Sequence, residues 1–113
     1  MFLVHAAKKR DWEGSNLTGY YGDFSIKKDG FIHCSTPDSI VDVANDNLRG
    51  ITEPMLLLKI DTDLLENKIR WEKRGNKGIE FPHLYGLLNT SAVVSVYDFN
   101  RDQDGYFFLP KNF

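Results

Sequence analysis

The side chains of this 113-residue chain best suited to chemistry are its three histidines, with a few hydroxyls and carboxylates around them. The richest stretch is Gly30-Phe31-Ile32-His33-Cys34-Ser35. Its β-branched and aromatic residues suit a strand. Strand side chains alternate between faces, so Phe31, His33 and Ser35 share one face while Gly30, Ile32 and Cys34 share the other. An imidazole and a hydroxyl then project from one surface. The other histidines have similar apolar settings, Leu3-Val4-His5-Ala6 and Phe81-Pro82-His83-Leu84-Tyr85. The expectation is that His5, His33 and His83 line one cleft. His83 suits proton transfer, because an ordinary imidazole titrates at about 6.5. Cys34 faces away from His33 and reads as a small buried hydrophobe, which argues against a Cys–His nucleophile. Three histidines with Glu72 would supply an open zinc site. The short His-x-x-x-His and Cys-x-x-Cys spacings are missing, however, and no metal is expected. A Gly-rich dinucleotide fingerprint and a Walker motif are also missing.

These residues need elements to hold them. Phe2 to Ala7 reads as a first strand with Leu3, His5 and Ala7 on one face, followed by a short helix over Lys8 to Glu13 that stops at Gly14. Ser15 to Lys28 is rich in glycine and tyrosine and reads as a loop, with Tyr20-Tyr21-Gly22 as aromatic packing or a lid. Lys28-Asp29-Gly30 is a turn into the histidine strand. Thr36 is a candidate N-cap, Pro37 suits a first helical position and Asp38 suits the positive helix end. Ile40, Val41, Ala44 and Leu48 then fall on one face, and Gly50 ends the helix. A helix start directly after Ser35 offers free N–H groups to an anion such as phosphate.

Met55 to Ile60 is a continuous apolar run, expected as a strand covered on both faces. A turn or short helix over Asp61 to Glu66 leads to a strand over Lys68 to Glu72, in which Trp71 and Glu72 point oppositely. Lys73 to Lys77 is a basic loop that reads as a solvated hairpin tip. Pro82 argues that Ile79 to Leu88 is an edge or irregular segment rather than a central strand. Ala92 to Phe99 is another strand. The Asp102-Gln103-Asp104-Gly105 turn then leads to a closing strand over Tyr106 to Leu109. The pattern is a strand-rich α+β single domain spanning 1–113, with two or three short helices.

Bulk properties narrow the function classes. A net charge of -2 gives no basic stripe for nucleic acid. One cysteine excludes an internal disulfide framework. No apolar run approaches the roughly 20 residues of a membrane span. The start, Met1-Phe2-Leu3-Val4-His5, lacks the basic flank and long apolar region of a signal peptide, so a cytoplasmic location is expected.

The order of these motifs carries a resemblance. His5, Trp12, Tyr20, Asp29-Gly30-Phe31-Ile32-His33-Cys34-Ser35, Trp71-Glu72, Phe81-Pro82-His83-Leu84-Tyr85-Gly86 and Asp104-Gly105-Tyr106-Phe107-Phe108-Leu109-Pro110 together resemble the bacterial family catalogued as domain of unknown function 952. The resemblance covers nearly the whole chain. It implies a split, strand-rich sheet like that of the ADP-ribosyltransferase fold, which binds NAD between two sheets. It further implies NAD as substrate, with His5, His33, Ser35, Thr36 and Tyr20 binding the nucleotide and a catalytic set drawn from Glu72, Glu80 and His83. Neither glutamate sits in that superfamily's Gln/Glu-x-Glu pattern, and Ser39 stands where relatives often have glutamine. A fixed carboxylate would stabilise the positive charge that builds on ribose as the nicotinamide bond breaks. Two alternatives stand beside this reading. One is a nucleotide or small-molecule binding domain without turnover, and the other is a zinc-dependent enzyme using the three histidines.

Overall fold

The apolar run at the chain's centre decides the architecture. Met55–Asp61 forms β4, which leaves almost no polar side chain for solvent, so both of its faces must be covered. It is the middle strand of an antiparallel sheet, between β1 (Phe2–Lys8) and β8 (Val93–Asp98). Leu3, Ala7, Leu56, Leu58 and Ile60 pack from one face against Tyr21, Ile32, Cys34, Leu84 and Leu88. Val4, Met55 and Leu57 pack from the other against Ile40, Ala44, Phe99 and Phe107. This small α+β domain therefore has a three-stranded sheet between two apolar layers. The computed structural model describes residues 1–73 and 78–113. The basic loop expected over Lys73 to Lys77 lies, but for Lys73, outside the described residues. No described helix is long and apolar enough to cross a membrane.

Two further sheets cover the first face. A short pair joins β2 (Tyr20–Tyr21) to β7 (Leu88–Asn89). The other is antiparallel in the order β3 (Ile32–His33), β6 (Glu80–Tyr85), β5 (Lys68–Lys73). The helices are α1 (Lys9–Ser15), α2 (Asp23–Asp29) and α3 (Ile40–Asn47). Short 3-10 turns follow β4 at Thr62–Leu64 and β7 at Thr90–Ala92.

Several expectations need correction. Residues 23–29 are helical, not loop. Gly22 and Gly30 bracket α2 in left-handed conformations, Asp23 lies in its first turn, and Lys27 and Lys28 lie in its last, each matching the helix dipole. The helix expected from Thr36 begins at Ile40, because residues 37–39 form a turn closed by the Ser39 N–H donating to the Thr36 carbonyl. Thr36 Oγ1 pairs with Ser39 Oγ at 2.9 Å instead of capping a backbone N–H. The closing strand over Tyr106 to Leu109 reduces to one bridge, Arg101 with Phe107. That bridge is closed by the Asp102 N–H donating to the Tyr106 carbonyl and the Phe108 N–H donating to the Asn100 carbonyl, while the Asn45 side chain takes both backbone groups of Phe107, at 2.7 and 3.3 Å.

Pro82 lies in the central strand of its sheet, opposite Trp71 on β5. Its carbonyl accepts from Cys34 N–H at 3.0 Å, yet it has no N–H to return to Cys34. The β3–β6 ladder ends there, which explains why β3 is two residues long. The freed chain crosses over, and Ser35 exchanges both backbone hydrogen bonds with Val4 of β1, at 2.8 and 2.9 Å. One proline thus hands the histidine segment from one sheet to the other.

Candidate functional site

A cleft of about 390 Å³ opens where β1 continues past the Val4–Ser35 bridge. One wall is polar and comprises Lys28, Asp29, His33 and Ser35. The facing wall is the flank of α3 and its end, chiefly Ile40, Val43 and Leu48, with Asn47 as a polar interruption. The volume lies within the range of small-molecule sites. Two of the predicted histidines, His5 and His33, line it, as does Ser35.

The two histidines have different environments. His33 Nε2 lies 3.2 Å from Asp29 Oδ2, and both side chains are partly open to solvent. His5 is held at both nitrogens. Nδ1 bonds the His33 carbonyl and Nε2 lies 2.9 Å from the Tyr21 hydroxyl. A carbonyl only accepts, so Nδ1 carries the proton and Nε2 accepts from Tyr21. Burial then holds the His5 pKa down at about 4. Burial likewise pushes the Tyr21 hydroxyl up, aided by Asp11 and Cys34. His5 is therefore a neutral strut that fixes the His33 backbone.

His83 is not among the residues that line this cleft. His33 and His83 are register partners on β3 and β6, with ring centroids 5.4 Å apart. His83 Nδ1 lies 2.8 Å from Glu72 Oε1, and the Tyr85 hydroxyl donates to the same oxygen at 2.5 Å. The Tyr85 bond, then the His83 bond, hold the Glu72 carboxyl below its ordinary range, and Glu72 in turn raises Tyr85. Phe31 stacks on His83 with centroids 4.0 Å apart.

The remaining predicted residues are placed elsewhere. Tyr20 donates to Glu66 at 2.9 Å on the exposed side of β2, and Glu66 raises its pKa. Thr36 faces Ser39. Glu80 is exposed at the start of β6, opposite Lys73. The expectation that all three histidines share one cleft therefore needs correction, because His83 turns to Glu72. The three do not converge on a metal, and no group of three His, Cys, Asp or Glu among the described residues could hold one. Cys34 is buried, which pushes its thiol up to about 12 and leaves it inert. Sequence reasoning missed Tyr21, Asp29, Phe31 and Tyr85 as partners of the histidines. The strand alternation that grouped Phe31 with His33 was the one available signal for Phe31. Tyr21 and Tyr85 gave none.

Comparisons with known proteins agree with this architecture. The model of a family described as Protein of unknown function (DUF952) matches residues 6–96. The crystal structure of protein CC0527 from Caulobacter crescentus superposes with a TM-score of 0.84 at 28% identity, covering 96% of this chain and 95% of that one. The solution structure of CC0527 gives a TM-score of 0.76 at 28% identity, covering 93% and 90%. Among curated proteins, none matches.

Proposed function

We propose, for a chain that belongs to the DUF952 family, that the cleft beside α3 binds the ribose and phosphate part of a nucleotide, with NAD or an ADP-ribosyl group as the test ligands. The observation that carries this reading is the division of the cleft into a polar wall of Lys28, Asp29, His33 and Ser35 and an apolar wall from α3. The Asp29 carboxylate suits ribose hydroxyls, as acidic residues do in other nucleotide sites. The Lys28 ammonium suits a phosphate. Val43 and Ile40 offer an apolar surface to a base. The ADP-ribosyltransferase-like fold is part of this proposal and supports the choice of ligand by analogy.

Calorimetric titration with ADP-ribose and NAD tests it. Asp29→Asn and His33→Ala are each expected to weaken binding by about 1–3 kcal/mol, the cost of losing a hydrogen bond to a charged or buried group. Absence of binding by the wild-type protein at millimolar ligand would refute the reading. Stoichiometric zinc in the purified protein, lost on His33→Ala, would favour the metal reading instead.

A second reading, NAD-dependent transfer, is supported by Glu72. Its carboxylate is held ionised one ring beyond His33. Under it, Glu72→Gln abolishes nicotinamide release while most of the affinity remains, and Glu80→Gln serves as the control. Binding without nicotinamide release would leave a binding domain without turnover.

A further inference from the structure

The neighbourhood of His83 lies outside the cleft and carries an observation of its own. Its Nε2 is buried and, among the described residues, has no hydrogen-bond partner. His83 as a whole is 5% exposed. Buried polar atoms in folded proteins almost always find partners, and an exception needs a reason. The other nitrogen explains the state of this one. Glu72 is held as a carboxylate and only accepts, so Nδ1 carries a proton, and in the neutral ring Nε2 is then a bare lone pair.

Three neighbours give this nitrogen a setting. Phe31 lies flat over the imidazole, at an interplanar angle of 16°, and is itself only partly buried. Arg70 is the register partner of His83 on β5, so their side chains leave the same face of the sheet. Its guanidinium is exposed and sits 5.0 Å from the centroid of the Tyr85 ring. An oriented base and a cation thus stand side by side, and an aromatic ring covers the base.

We propose that this face of the β3–β6–β5 sheet is a second site, in which His83 Nε2 accepts a hydrogen bond from a hydroxyl of an anionic ligand whose charge is met by Arg70. Phe31 turns aside to admit the hydroxyl. The hydroxyl donates its O–H to the Nε2 lone pair while Nδ1–H stays bonded to Glu72. Glu72 is a positioning residue: it fixes the tautomer without touching the ligand. This site does not depend on nucleotide binding in the cleft.

Nitrogen-15 NMR of the histidine rings in the intact protein, followed by titration with ribose 5-phosphate, tests the proposal. In the free protein His83 is expected as the Nδ1–H tautomer, and Glu72→Gln is expected to shift it toward Nε2–H, a change that a merely structural role would not produce. Ribose 5-phosphate is expected to move the His83 Nε2 resonance, with at least tenfold weaker affinity in Arg70→Ala. Phe31→Leu, which keeps apolar volume but removes the stack, is expected to tighten the response. An Nε2–H tautomer in the wild-type protein overturns the proposal. So does a titration that moves only His33 and the cleft amides, although the cleft reading would then stand. No response at either place refutes both for this ligand class.

Discussion

His5 makes a quantitative prediction about acid. Its folded-state pKa is about 4 against an ordinary 6.5, because burial disfavours the charged ring. The folded protein refuses a proton that the unfolded chain accepts, so stability is full above about pH 6.5 and falls as the pH drops toward about 4. The shift of 6.5 minus 4, at about 1.4 kcal/mol for each pH unit, amounts to about 3 kcal/mol in all. About 2 kcal/mol of that is already lost at about pH 5. Urea unfolding at about pH 7.5 and about pH 5 measures it, with His5→Gln as the comparison. Glutamine can replace one of the two hydrogen bonds but does not titrate. The wild-type protein should lose about 2 kcal/mol more than His5→Gln between the two conditions. Glu72, also lowered, loses its contribution at lower pH and is common to both proteins. Equal losses within about 0.5 kcal/mol would refute the argument that His5 is a buried neutral strut.

Other expectations are simpler to test. Gly86 has φ 143°, and a Cβ there would meet the Asn67 side chain at 2.3 Å, so Gly86→Ala should destabilise by roughly 1–3 kcal/mol or more in a thermal melt. Thr36→Ala should cost less than about 0.5 kcal/mol, half or less of what loss of a true N-cap costs, because among the described residues its hydroxyl meets only Ser39. Cys34 should resist iodoacetamide in the native protein at mildly alkaline pH and react once urea unfolds it, as mass spectrometry would record.

What the sequence made legible were the features that depend on neighbours in the chain. The β4 run, the alternation through Phe31, Ile32, His33 and Cys34, and the apolar face of α3 all appear where periodicity placed them. The helix over 23–29 was also marked, by Asp23 at one end and Lys27, Lys28 and Gly30 at the other, but the preceding glycines and tyrosines masked it. Pro82 misled because the rule against proline in a central strand assumes that the ladder continues, and here it ends at that residue. The site was legible as a set of residue types and not as pairs. That His5 takes Tyr21 while His83 takes Glu72 depends on register between distant strands, which no local pattern encodes.

The bridge between Val4 and Ser35 has a consequence for motion. Two amides stitch the histidine segment to β1, and each donates across the seam. The cleft straddles that seam, with His5 and Ala6 on one side and His33 on the other. Deuterium can enter at Val4 or Ser35 when the seam parts, even while β4 stays locked between its neighbours. The exchange rates of these two amides are therefore a clock for opening of the cleft, separate from global unfolding. A molecule that closes across the seam would slow that clock and leave the core strands unchanged.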